Sequence, residues 1–206
     1  GVSTGTHPRT ASCRILELLQ ARLTHIPAIA PLAESISALL HQVQQDYVAL
    51  SADVEFSGMA STLVGVRLIG NAATIFNVGD SRAYLLADGR ARLLSRDHSL
   101  LSDMIDEGDI TPAQATNAAS FMRGLTCQFI ADPEFDEFAV NIVSHDLQPG
   151  ERLLLCSDGL NEVLSDAEIA LLLAGSSDED LLNACKASRR AGGMDDFSVI
   201  VLRPLN

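Results

Sequence analysis

Leu153-Leu154-Leu155-Cys156-Ser157-Asp158-Gly159-Leu160, read with Gly192-Gly193-Met194-Asp195-Asp196-Phe197-Ser198-Val199-Ile200-Val201, decides the fold. Each stretch joins an unbroken apolar run, the pattern of a strand buried on both faces, to a turn that carries an aspartate. An aspartate at a strand end can lift its carboxylate clear of the core and meet a cation. Magnesium and manganese take oxygen ligands and keep several waters, so a few carboxylates from separate strands suffice and no Cys or His cluster is needed. Taken singly, either aspartate reads equally as an Asx turn closing a strand. Ala72-Ala73-Thr74-Ile75-Phe76-Asn77-Val78-Gly79-Asp80-Ser81-Arg82-Ala83-Tyr84-Leu85-Leu86 repeats the arrangement: an apolar strand, a Gly-Asp turn and a second strand.

Working outward, the N-terminal third has helical spacing. Ala11, Ile15, Leu18, Leu19 and Leu23 predict a helix from Pro8 to about Thr24, with Pro8 placed where a missing N–H costs nothing. Leu32, Ile36, Leu39, Leu40, Val43, Tyr47 and Leu50 predict a second, with Glu34, Gln42, Gln45 and Asp46 on its wet face. The period then changes. Ser61 to Ile69, Ala72 to Val78, Arg82 to Leu86 and Arg90 to Leu94 read as strands joined by Gly70-Asn71, Gly79-Asp80-Ser81 and Asp88-Gly89, which predicts antiparallel hairpins. A helix over Leu100 to Ile105, a short one after Thr111-Pro112 and an irregular surface flap as far as Phe121-Met122 follow. Strands are expected at Phe135 to Val143 and Arg152 to Cys156. Ser165-Asp166-Ala167-Glu168 is the pattern of a capping box opening a helix to about Ala174. A further helix from Ser177 to about Arg190 and a strand from Phe197 to Leu202 close the chain. Helices at both ends of a hairpin-rich middle define an α+β class, and the length of 206 residues suits one domain, 1–206.

Composition narrows the function. The net charge of −13 opposes nucleic acid and anionic membrane surfaces and favours cations. Any anionic substrate would need bound metal to invert the local potential. The four cysteines, Cys13, Cys127, Cys156 and Cys185, are far apart without a C-x-x-C pair, and read as reduced core thiols. No apolar run approaches the roughly 18 residues of a membrane span, so a soluble cytoplasmic protein is expected, with no membrane or nucleic-acid partner and a monomeric state.

Gly58-Met59-Ala60-Ser61-Thr62, Asn77-Val78-Gly79-Asp80-Ser81-Arg82, Asp97-His98-Ser99, Leu155-Cys156-Ser157-Asp158-Gly159-Leu160 and Gly192-Gly193-Met194-Asp195-Asp196 resemble, in order and spacing, the bacterial metal-dependent serine/threonine protein phosphatases of type 2C. The resemblance covers nearly the whole chain. It implies a four-layer α-β-β-α sandwich of two antiparallel sheets flanked by helices, and hydrolysis of phosphoserine and phosphothreonine in proteins by a water bridging two Mn2+ or Mg2+ ions. It makes Asp158 and Asp195 the catalytic metal ligands. Asp80 becomes a ligand of a third, weaker ion, against a plain turn role, while Arg82 reads as structural and Asp97-His98-Ser99 as scaffold.

Aligning Ala11-Ser12 and the helix after it places Gly1 on the family's metal-ligating glycine. The bridging Asp, a first strand and a phosphate-holding Arg would then lie upstream, and on that reading these 206 residues alone turn over slowly or not at all. Ser3-Thr4-Gly5 replaces the usual glycines, His7 stands two positions beyond the family's histidine, and Asp196 stands where relatives usually carry Asn. A phosphoprotein substrate opposed by a Ser/Thr kinase is the implied partner. The rival is a pseudophosphatase that binds a phosphoprotein or partner without turnover; a regulator phosphatase of a sigma-factor pathway differs only in substrate.

Overall fold

In the computed structural model, residues 2, 6–23, 32–115, 120–172, 179, 183, 186, 187 and 197–203 are described. They gather into two compact units interleaved along the chain: Gly1–Leu63, Val78–Asp80 and Asp97–Ile142 in one, Val64–Asn77, Ser81–Arg96 and Val143–Asn206 in the other.

The first unit is built on a helical pair. Helix α1 (Pro8–Leu23) buries Ala11, Ile15 and Leu19, and α2 (Leu32–Ala49) buries Ile36, Leu40, Val43 and Tyr47, the positions expected from the apolar period. Arg22 grips Asp46 across the pair through Nε at 2.5 Å and Nη2 at 2.8 Å. Gln44 of α2 is buried although polar. It behaves as a strand in miniature, donating from Nε2 to the Ile130 carbonyl at 3.1 Å and accepting the Ile130 N–H at 3.3 Å. Ile130 lies in β6 (Phe129–Ile130), which pairs antiparallel with β1 (Ala60–Ser61). Helix α3 (Leu100–Glu107) starts on Ser99, whose hydroxyl accepts the Ser102 N–H, and stops at Gly108 with φ 83°. The short α4 (Pro112–Ala115) follows, and Phe121 in the expected flap is 69% exposed.

The second unit holds two sheets. Strands β2 (Leu63–Ile69), β3 (Ala72–Val78) and β7 (Asn141–Asp146) form one; β4 (Arg82–Ala87), β5 (Arg90–Leu93), β8 (Arg152–Cys156) and β9 (Val199–Leu202) form the other in the order β5-β4-β8-β9. All neighbours in this second sheet run antiparallel, with Tyr84 opposite Leu154 and Leu154 opposite Val201. The register sends alternate residues to opposite faces. Leu153 and Leu155 join Ala83, Leu85, Ala73 and Ile75 between the sheets. Leu154 and Cys156 join Tyr84, Leu86, Leu160, Leu164 and Ile169, the last three from the segment containing α5 (Asp158–Asn161) and α6 (Asp166–Leu172). This is helix on sheet on sheet. The β4–β5 hairpin turns on Asp88 at φ 50° and Gly89 at φ 69°, the left-handed pair that matches strand twist.

The capping box forms as expected: Ser165 N–H donates to Glu168 Oε2 at 2.8 Å and Glu168 N–H to Ser165 Oγ at 3.3 Å, and the Ser165 hydroxyl, then the Ser165 N–H, hold the Glu168 carboxyl below its ordinary range. Other expectations need correction. The strand expected over Phe135 to Val143 begins only at Asn141, because the apolar signal of Phe138 is used in ring packing, edge-on to Phe129 at 5.0 Å and to His41 at 5.1 Å. The run from Ser61 to Ile69 breaks at Thr62, and Phe129–Ile130 pairs as a strand too short for a periodic signal. Cys127 and Cys156 are buried free thiols, whereas Cys13 is exposed on the outer face of α1, and Cys185 lies outside the described residues. The helix expected from Ser177 to Arg190 also falls mostly outside them, with Glu179, Asn183, Lys186 and Ala187 helical. Among the described residues no helix is long and apolar enough to cross a membrane.

Because Leu154 is fully buried in the middle of the second sheet, Leu154→Ala should lower unfolding free energy by about 2–5 kcal/mol. Urea titration followed by circular dichroism measures this.

Candidate metal-binding site

In the first unit three of the sequence motifs meet at the turn after β3. Gly79 has φ 95°, and a Cβ there would overlap Thr62 Cγ2, so only glycine fits. The break of the strand at Thr62 therefore has a purpose: the threonine leaves the ladder to cover this turn. From the other side His98, 5% exposed, holds Gly79 at both ends, its imidazole Nδ1 accepting the Gly79 N–H at 3.1 Å and its own N–H donating to the Gly79 carbonyl at 3.0 Å. The next residue is Asp80, half-buried, its backbone aimed by a glycine that cannot relax. The expected scaffold role of Asp97-His98-Ser99 thus becomes concrete.

In the second unit Ser157 of the fourth motif is tied to Ser198, two residues beyond the fifth. Ser157 extends the β8–β9 ladder past its last regular pair, donating its N–H to the Ser198 carbonyl at 3.1 Å and accepting the Ser198 N–H on Oγ at 2.9 Å. Asp158 follows at once as the first residue of α5, half-buried, with Oδ1 accepting the Gly159 N–H at 2.9 Å. Ser198 comes shortly after Asp195-Asp196, so its two hydrogen bonds to Ser157 fix the chain downstream of Asp195 against the residue preceding Asp158. Arg82, expected to be structural, donates from Nη1 to the Tyr84 hydroxyl at 3.1 Å, and burial pushes the Tyr84 phenol well up from its ordinary range.

Gly1 and Asp195 lie outside the described residues, as does Asp196. Beside Gly1, Val2 donates its N–H to the Ala60 carbonyl at 3.0 Å. His7 is exposed with φ 48°, and its carbonyl accepts the Ala11 N–H at 2.9 Å, opening α1. Among the described residues no three of His, Cys, Asp and Glu gather as a metal-holding group, and two of the four expected ligands are not among them. The donor chemistry at the described positions, carboxylate oxygens at partly open turns, suits a hard divalent cation. Sequence reading missed the two clamping residues as such. The signal was present in the motifs: a serine before Asp158 and a histidine after Asp97.

Residues 7–190 match the model of the protein phosphatase 2C family, and the chain belongs to that family. It is 31% identical over 193 residues to the serine/threonine protein phosphatase PstP of Mycobacterium tuberculosis, an alignment covering 90% of this chain. The chain spans 36% of that protein's length. The crystal structure of PstP from the same organism superposes with a TM-score of 0.82 at 27% identity, covering 96% of this chain and 83% of that one. A structure of the PstP catalytic domain in complex with 2 manganese ions gives a TM-score of 0.76 at 27% identity, covering the same shares. The α+β architecture of antiparallel sheets flanked by helices is that of these phosphatases.

Gly79→Ala forces a side chain into a left-handed turn already filled by Thr62. A loss of about 1–3 kcal/mol of stability is expected, measured as a fall in thermal midpoint, and a variant as stable as the parent would show that the turn adapts.

Proposed function

We propose that this protein is a divalent-metal-dependent phosphatase acting on phosphoserine and phosphothreonine in proteins, opposing a Ser/Thr kinase. The observation that carries the reading is the doubly bonded Ser157–Ser198 pair, which ties together the two motif segments bearing Asp158 and Asp195. Family membership and the named activity of PstP support it, and favour an enzyme over a pseudophosphatase.

Asp158 and Asp195, with the Gly1 carbonyl, would hold two Mn2+ or Mg2+ ions, and Asp80 a third and weaker one. When bound, the ions would activate a water as nucleophile and neutralise the charge of the phosphoryl group in an in-line displacement. The chain's own part is placement. The Asp158 carboxylate has little freedom, because Ser157 before it is locked to Ser198 through both its N–H and its hydroxyl and the Asp158 Oδ1 accepts the Gly159 N–H. Such fixed carboxylates need no reorganisation when ligands arrive. At a net charge of −13, metal-free protein should repel a phosphate dianion, so activity without metal is not expected.

Asp158→Asn and Asp195→Asn each remove an anionic ligand while keeping shape. Calorimetric titration with manganese should show binding severely weakened in both, by about ten- to hundredfold or more; unchanged binding in both removes the metal assignment. Hydrolysis is read in the natural protein, with any flanking sequence in place, as phosphate release from a phosphothreonine peptide. Release should need manganese or magnesium and be lost in Asp158→Asn, and peptide binding without release under saturating metal would establish the pseudophosphatase instead.

A further inference from the structure

Both hydrogen-bonding groups of Gly79 are held by one residue, His98: the N–H by the ring nitrogen Nδ1 at 3.1 Å and the carbonyl by the backbone N–H at 3.0 Å. A glycine at φ 95° has the widest choice of backbone angles of any residue. Here that choice is removed from two sides, and the direction in which the chain leaves Gly79 is the direction in which Asp80 is presented. His98 is itself fixed. Its carbonyl accepts the Thr126 N–H at 3.0 Å, its neighbour Ser99 is bridged to Leu125, and its side chain is buried. A fully buried backbone N–H without a partner would be costly, and the ring nitrogen is what satisfies it. The same bond requires a lone pair on Nδ1, so the ring proton resides on Nε2.

We propose that His98 is a positioning residue for the ion held at Asp80: its imidazole, acting through Gly79, sets the presentation of the Asp80 carboxylate, so that occupancy of this site depends on the ring's Nδ1 acceptor. The inference rests on the reading of Asp80 as a metal ligand. Outer-shell hydrogen bonds of this kind alter metal affinity by about ten- to hundredfold when removed. Because His98 bonds to the turn that presents Asp80, the effect is expected on the ion held there.

The test is calorimetric titration with manganese chloride alone on the parent, Asp80→Ala, His98→Ala and His98→Asn, with thermal unfolding of each metal-free protein. Asparagine carries an oxygen where histidine carries Nδ1, so it keeps the acceptor. His98→Ala should weaken the weakest manganese by about ten- to hundredfold, as Asp80→Ala does, with the tighter ions little changed and His98→Asn close to the parent. Loss in Asp80→Ala with no change in His98→Ala overturns the proposal and leaves the Asp80 reading intact. No change in Asp80→Ala removes that reading, and the proposal with it. Equal weakening of all ions in His98→Ala, unrescued by Asn, marks His98 as a general fold residue and also overturns it.

If His98→Ala does not fold, the comparison passes to His98→Gln, whose oxygen sits one bond further out, against His98→Asn. Weak binding lost in Gln and kept in Asn supports the proposal, and binding kept in both overturns it. In the unaltered protein, a scalar coupling between the Gly79 amide nitrogen and His98 Nδ1 in nitrogen-15 NMR is expected. Its absence shows that the bond does not form in solution and overturns the proposal.

Discussion

Burial of β8 on both faces is the constraint on which the rest depends. Leu153 and Leu155 face the β2-β3-β7 sheet, Leu154 and Cys156 face α5 and α6, and the strand has antiparallel partners on both edges. A strand so enclosed cannot slip, because a shift of one residue would exchange its two apolar sets and every cross-strand partner. The first polar residues after it, Ser157 and Asp158, therefore leave the core at a fixed point. Aliphatic packing that looks purely structural is what gives a carboxylate its address.

The sequence motifs are contacts rather than labels. Thr62 fills the space over Gly79 and His98 closes it from the other side, so three motifs far apart in the chain are parts of one turn. Ser157 of a fourth motif is bonded to Ser198, just past the fifth. In both places the residue before the aspartate is held across the motif boundary, so the backbone beneath each carboxylate is immobilised.

Much of the fold was legible because its signals were long and periodic. Both helices of the first unit end within a residue of expectation, and β2 pairs with β3 across Gly70-Asn71 and β4 with β5 across Asp88-Gly89, whereas the hairpin expected at Gly79-Asp80-Ser81 does not form, because that turn passes the chain from one sheet to the other. The capping box at Ser165 was readable because its chemistry is local. What failed was short or used for something else. Phe138 advertises a strand but packs rings with Phe129 and His41, and Phe129–Ile130 is a strand only because β1 and the Gln44 side chain meet it. Of the site, Asp80 and Asp158 were legible as strand-end carboxylates. The clamps were not, since whether a serine or histidine beside a motif bonds across to another depends on register that only the folded chain sets.

The proposed chemistry requires Asp158 and Asp195 to share metal ions. Anomalous diffraction at the manganese absorption edge, from crystals of this protein grown with manganese, tests this most directly. Two manganese peaks with carboxylate oxygens of Asp158 and Asp195 among their ligands are the expected result, and manganese bound elsewhere with both carboxylates free of metal would contradict it.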